Sequence, residues 1–550
     1  MGIQVLVAGE PRWPGQEAGT PVRDRVLAAY RKFGAGLLER ARGHFGLAIL
    51  DRAAGRAVLG VDRSGVGSIA WATASDGTLV FGTSVRDVAR HRLIAATISR
   101  QALFDFLYFH MVPSPGTVYA GVGKLRPAHG LVCERGRITV QPYWSPRFAT
   151  AMDAPPDQLH DGLKDVLQES VARAAATGGT VGAFLSGGLD SSTVAGMLAR
   201  STPGRARTFS IGFEAEEYNE LGFARIAARR FDLDSVEMEV TPANVTEAIP
   251  AIAAAFDEPF GNSSAVPTYW CARTARDHGI TRLLAGDGGD ELFGGNQHYS
   301  RQAIFELYYR LPAVVRSVLC EGVLLGALPE GAPFPLGKLR SYIDQARIPL
   351  PRRLKSWDFM FRTPASRVWN PEFLASVSPG HPDDVMASVY QEPATGQYLD
   401  RLLYFDWQFV LADNDLRKVN GACGMAGMDV SYPMLDADVV DFSLRLTPDL
   451  KVRGQHLRPF YKDATRGFLP DEILDKEKHG FGLPFGLWLK TDPGLRALVL
   501  DSLASLRGRG LVRPDFLEDV MREHGSGHAS YYGYVIYDLV MLEQWLAVHG

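Results

Sequence analysis

Apolar and polar positions change rhythm along this chain near residue 150. Before that point the apolar runs are short: GHFGLAILD at 43–51, RAVLGVD at 56–62 and TLVFGTSV at 78–85. Turn signals separate them, Ala53-Ala54-Gly55 and Ser75-Asp76-Gly77 among them. Residues 124–144 read as strand, turn at Arg135-Gly136, and strand again. Between these groups, residues 99–110 carry Leu103, Phe104 and Leu107 on one helical face. The pattern predicts an antiparallel β domain with one or two helices, ending near Trp144-Ser145-Pro146.

From about residue 155, helical patterns alternate with short buried strands, which is how a parallel sheet with crossover helices reads. Three strands run into polar, glycine-rich ends: 181–185 into SGGLDSS at 186–192, 208–213 around Gly212, and an apolar run after 281 into GDGGDE at 286–291. In open parallel sheets ligands sit beyond the carboxyl ends of the strands, so the three ends are expected to share one crevice. Residues 296–400 read as mostly helical, with aromatic stripes that belong to a core. The proline-rich pieces at 328–336 and 349–352 read as loops, and 532–550 as an amphipathic packing helix. The predicted fold class is α/β: an antiparallel β-sandwich over residues 1–148, then a doubly wound parallel-sheet domain with helical additions over 149–550.

A chain of 550 residues exceeds what one hydrophobic core organises. Its formal net charge of −4 offers no basic footprint for nucleic acid. The four cysteines, Cys133, Cys271, Cys320 and Cys423, form no CxxC pair, which argues against a zinc site or disulfide framework and fits a reducing compartment. No apolar run is long enough to span a bilayer, and Leu6 stands where a myristoylation signal needs Ser or Thr. The expectation is a cytoplasmic protein without a membrane or nucleic-acid partner.

The stretch TVGAFLSGGLDSSTVAGMLAR at 180–200 carries the first chemistry. A strand that breaks into a Gly/Ser loop and opens a helix presents backbone amides to an anion. It lacks the GK[ST] ending of a Walker loop. Taken with the two other strand ends, it predicts a nucleotide site for ATP and Mg²⁺ formed by Phe184, Ser186, Gly187, Gly188, Asp190, Ser191, Ser192, Ile211, Gly212 and Gly286. Asp190 and Asp290 are the expected magnesium ligands, because this ion takes few carboxylates and completes its shell with phosphate oxygens and water. Phe184, Ile211 and Gly212 are the expected adenine slot. Asp287 is placed to take a proton from an attacking amine, or else only to hold the GDGGDE turn. On physics alone Lys478 reads as a solvated surface lysine.

SGGLDSS resembles the pyrophosphate loop of ATP pyrophosphatases. With TFSIGF, FDEPFGNSSAVPTYW, GDGGDELFGG, SYPMLD and KHGFGLP in that order, nearly the whole chain resembles the asparagine synthetase family. The resemblance implies a glutaminase-like sandwich followed by a pyrophosphatase-type synthetase domain. It implies magnesium binding by Asp190 and Asp290, an amine site at Asp287, and a catalytic role for Lys478. The implied reaction is ATP-dependent amide formation through an acyl-adenylate, releasing AMP and pyrophosphate.

Two departures bear on the substrate. Glutamine-using members begin Met-Cys-Gly, whereas this chain begins Met1-Gly2-Ile3 and has no cysteine before Cys133, so glutamine hydrolysis is not expected. At 418–422 it reads KVNGA where the family more often has KVDR, so Asn420 and Gly421 replace a charged pair near the presumed substrate side. Among cysteine-less relatives, β-lactam synthetases carry Tyr at the position of Asp287. The lasso-peptide macrocyclases fit best, with a precursor peptide and its processing protease as the partners they imply. The alternatives are an ammonia-dependent synthetase acting on aspartate, another specialised-metabolite ligase, a catalytically dead scaffold and a tRNA-modifying pyrophosphatase.

Overall fold

The computed structural model describes residues 2–15, 19–152, 154–176, 178–328, 333–477 and 482–550. Among the described residues the amino-terminal part holds eight strands: β1 (Gln4–Gly9), β2 (Phe45–Asp51), β3 (Arg56–Val61), β4 (Ala70–Thr73), β5 (Leu79–Gly82), β6 (Val122–Lys124), β7 (His129–Glu134) and β8 (Arg137–Pro142). They form two antiparallel sheets, ordered β1-β2-β3-β7-β8 and β5-β4-β6. Alternation along β2, β3 and β7 sends Ala48, Leu59, Val61 and Leu131 to one face, where they meet Trp71, Leu79 and Phe81 of the smaller sheet and Ile69 just before it. The opposite face packs Leu47, Ile49 and Val58 against Val26, Ala29 and Tyr30 of the helix Val22–Phe33. The expected sandwich is present. The sequence pattern did not predict β1 or this helix, since β1 is a half-exposed edge strand and its residues lack a strict polar alternation.

The second part is built on five parallel strands, β9 (Val181–Phe184), β10 (Arg207–Gly212), β11 (Asp234–Glu239), β12 (Arg282–Leu284) and β13 (Asp429–Ser431). Their order is β11-β10-β9-β12-β13. The chain moves outward from β9 to β11, then returns to lay β12 on the other side of β9. The β9/β12 boundary is therefore the topological switch point, where a crevice opens at the strands' carboxyl ends. Buried helices cover the sheet, including Leu189–Ser201 with Val194, Ala195, Met197 and Leu198, and Ala265–Asp277 with Ala265, Val266 and Ala272.

Residues 297–406 are largely helical, as the aromatic stripes predict. The final helix, Ala529–His549, is more enclosed than an amphipathic surface helix: Ile536, Leu539, Val540, Leu542 and Trp545 have no solvent exposure, and the Trp545 indole donates to the Phe256 carbonyl at 3.2 Å. Among the described residues no helix is long and apolar enough to cross a membrane.

Candidate active site

At the end of β9 the chain turns through Ser186-Gly187-Gly188 into the helix Leu189–Ser201. Gly187 takes φ +71°, and a Cβ there would run into the backbone of Phe223 and Ala224, so the loop lies flush on the helix Leu221–Arg230. The Ser191 hydroxyl accepts from the Ser186 amide at 3.2 Å and lies 3.0 Å from the Ser186 hydroxyl. Those hydroxyls fix the loop's shape. No side chain caps the helix at Gly188, which leaves its first amides available to an anion. Ser192 differs from the sequence expectation of a crevice-facing hydroxyl. It is fully buried, and its Oγ has no hydrogen-bond partner among the described residues.

The β12 end brings the second set. Gly286 abuts Asp190 and Ser191, with an added Cβ 2.8 Å from the Ser191 amide nitrogen. The following turn carries Asp287, and the short helix Gly289–Phe293 carries Asp290 and Glu291. Asp190 and Asp290 converge on one point, and the guanidinium of Arg458 fills it. Its Nη1 and Nη2 donate to the two oxygens of Asp190 at 2.6 and 2.9 Å, and Nη2 also donates to Asp290. Two carboxylates already disposed around a single cation suit a magnesium ion that completes its shell with phosphate oxygens. Among the described residues no group of three or more His, Cys, Asp or Glu side chains could hold a metal by itself. Phe184 is half-buried, Ile211 is buried, and the Gly212 carbonyl accepts from the Val240 amide at 3.0 Å, so the backbone at the proposed adenine slot is partly engaged by the sheet.

Asp287 lies beside Lys418 and Asp415, which sequence reading had not singled out. The Lys418 ammonium is 3.0 Å from Asp415 and 3.9 Å from Asp287. Burial pushes the Asp287 carboxyl up to about 6, with Asp415 adding to the rise and Lys418 opposing it. Glu291 is driven well above the usual carboxylate range, first by burial and then by Asp415 and Asp406. Desolvation lowers Lys418, which is half-buried, yet Asp415 and Asp287 outweigh it and raise the group. The result is an acidic recess with one resident cation and one carboxyl group poised to exchange a proton near neutrality.

Asn420 and Gly421 do not face this recess as the sequence reading expected. The Tyr432 hydroxyl donates to Asn420 Oδ1 at 2.8 Å, and Asn420 Nδ2 donates to the Val66 carbonyl of the sandwich at 3.1 Å. A Cβ on Gly421 would strike the ring of Phe256. Asn420 thus ties the two parts of the chain together, and Gly421 lets its helix pack closely within the second part. Lys478, with His479, Gly480 and Phe481, lies outside the described residues. On its amino-terminal flank, the Lys476 ammonium pairs with Glu220 at 2.9 Å and sits 4.6 Å from the centre of the Phe223 ring.

The structure thus brings Ser186, Gly187, Gly188, Asp190, Ser191, Gly286, Asp287 and Asp290 to one switch-point crevice. Arg458, Lys418, Asp415 and Glu291 are the additions. Glu291 lies within GDGGDE and Lys418 opens KVNGA, so these two adjoined recognisable stretches. Arg458 sits in HLRPFY, which has no local signature, and reaches Asp190 across 268 residues of chain.

Comparison with known proteins places the chain among its relatives. Residues 162–547 match the family model described as asparagine synthase, and residues 22–144 match a glutamine amidotransferase domain. The chain is 24% identical over 509 residues to the glutamine-hydrolyzing asparagine synthetase 1 of Bacillus subtilis, covering 92% of this chain and 77% of that protein. It is 28% identical over 478 residues to a putative glutamine-hydrolyzing asparagine synthetase of Mycobacterium tuberculosis, covering 85% and 71%. It is also 22% identical over 576 residues to a protein of Gibberella zeae named amidase chry2, covering 94% and 83%.

Proposed function

The chain belongs to the asparagine synthase family, and from that premise we propose that it is an AMP-forming ligase that joins a carboxylate to an amine. The observation that carries this reading is the convergence of the uncapped helix start at Leu189 with Asp190 and Asp290 at the switch point. In the proposed reaction a substrate carboxylate oxygen attacks the α-phosphorus of ATP. The bond to the β-phosphate bridging oxygen breaks, and pyrophosphate leaves. The amides of the loop at 186–190 and the amino end of the helix Leu189–Ser201 hold the departing phosphates. Asp190 and Asp290 would hold Mg²⁺, which when bound supplies positive charge to the phosphate oxygens. The amine nitrogen then attacks the acyl carbon, AMP leaves, and a proton passes to the Asp287 carboxylate. Lys478 enters as the further cation that the family resemblance implies.

For the substrate, we infer a macrolactam-forming reaction of the lasso type, in which a side-chain carboxylate of a precursor peptide is joined to that peptide's own amino terminus. Asp287 where β-lactam synthetases carry Tyr supports it, since its carboxylate can take the proton of an incoming amine. The sequence from Gly2 to Val132 contains no cysteine, so glutamine is not the proposed nitrogen source. The second reading is ammonia acting on aspartate.

The test is release of AMP and pyrophosphate from ATP with candidate peptides, with aspartate plus ammonia, and with neither, in the native chain and in Asp190→Ala and Lys478→Ala. Peptide-dependent release with a product lighter by one water supports the macrolactam reading. Turnover with aspartate and ammonia replaces it with the second reading. No nucleotide cleavage and no ATP binding under any condition overturns the ligase assignment.

A further inference from the structure

Arg458 is held more tightly than a surface arginine needs. It precedes the helix Pro459–Thr465 and adopts the left-handed conformation, φ 54° and ψ 41°, which carries an energetic cost for a residue with a side chain. Its amide donates to the Lys451 carbonyl at 2.8 Å, and its own carbonyl accepts from the Lys462 amide at 3.0 Å. Pinned on both sides, the backbone sends a side chain that is only 4% exposed between Asp190 and Asp290. The opposing wall is cut away to admit it: a Cβ at Gly295 would overlap both the guanidinium and the Asp290 carboxylate. The buried Nε–H of Arg458 has no acceptor among the described residues, so this placement leaves one donor unused.

We propose that Arg458 is an internal counter-ion that occupies the metal position of the nucleotide-free protein and yields it when a metal–nucleotide complex binds. This inference rests on the reading of Asp190 and Asp290 as metal ligands. Without a cation, two carboxylates brought this close would repel and splay apart. With Arg458 in place they stay preorganised, and a free divalent ion must compete with a bidentate, charge-assisted pair for the same oxygens. The site consequently rejects bare metal and accepts it together with the phosphates, whose oxygens compensate for the displaced guanidinium.

The experiment is Mn²⁺ binding followed by electron paramagnetic resonance, with and without ATP, in the native protein, Arg458→Gln and the double variant Arg458→Gln/Asp190→Asn. The expected result is that R458Q binds Mn²⁺ without ATP about tenfold or more tightly than the native chain, as removal of a competing buried cation requires. The second substitution should abolish that gain. Melting curves give an independent readout: R458Q should be destabilised and then restored by millimolar Mg²⁺, whereas the native melting temperature should not respond to Mg²⁺ alone. If R458Q is too unstable to purify, Arg458→Lys, which keeps the charge but not the two-oxygen fork, should show the same changes in smaller measure. Native-level Mn²⁺ affinity in both variants, with normal Mn²⁺–ATP binding throughout, overturns the exchange while leaving the metal pair intact. No Mn²⁺ binding even with ATP overturns both.

Discussion

Lys124 and Glu258 form a buried ion pair that fastens the sandwich to the parallel-sheet half. The ammonium donates to Glu258 Oε2 and to the Val112 carbonyl, both at 2.7 Å, and Glu258 Oε1 accepts from the Val118 amide at 2.8 Å. Lys124 is 1% exposed. Burial pulls it below the ordinary lysine range, Arg417 adds to that, and Glu258 and Asp413 oppose it. Truncating one partner strands the other charge in a buried site. Lys124→Met is expected to cost about 3–5 kcal/mol, and Lys124→Met with Glu258→Gln to recover part of that loss, measured by thermal and denaturant unfolding.

Asp287 sets a pH dependence with two signatures. As an acceptor of the amine proton it must be ionised, so turnover at saturating substrate should rise with pH through about 6. Asp287→Asn should lower it by roughly a hundredfold to ten-thousandfold. The stability effect runs the other way. The folded carboxyl titrates above its unfolded value, so its contribution to folding is fully present below the ordinary aspartate value of 3.8 and is lost as pH rises through about 6. D287N should therefore gain on the native chain in melting temperature between those two values, and the two should converge in more acidic solution.

Gly289 should tolerate no side chain. A Cβ there would overlap the Asp190 carboxylate, with Asp190 Oδ2 only 2.8 Å away. Gly289→Ala is expected to fold and yet to lose ATP–pyrophosphate exchange by on the order of a hundredfold, the scale of misplacing a reacting group by about an ångström. Circular dichroism separates this outcome from unfolding.

Asn420 ties Tyr432 to the Val66 carbonyl. Asn420→Ala should cost about 1–3 kcal/mol by leaving those partners unsatisfied. Asn420→Asp, which sets an acceptor against the Val66 carbonyl, should cost more at neutral pH. Both are checked by melting temperature, and limited proteolysis between residues 143 and 156 should report loosening of the two halves.

The sequence alone determined the class of each half. Short apolar runs from 43 to 144, separated by turn signals, marked an antiparallel sandwich, because brief strands joined by tight turns pair with their neighbours. The strand–loop–helix units at 181–200 and 281–295 placed Asp190, Asp287 and Asp290 at the ends of parallel strands, since glycine, serine and aspartate favour the turns that end an apolar strand. Tertiary structure decided which charges meet. Arg458 reaches Asp190 from 268 positions away, Lys418 comes to Asp287 on a separate helix, and Asn420 turns to the sandwich instead of the recess. Local pattern records burial and backbone preference within a few residues. The partner of a buried charge is set by the packing of distant elements, and no periodicity along the chain encodes it.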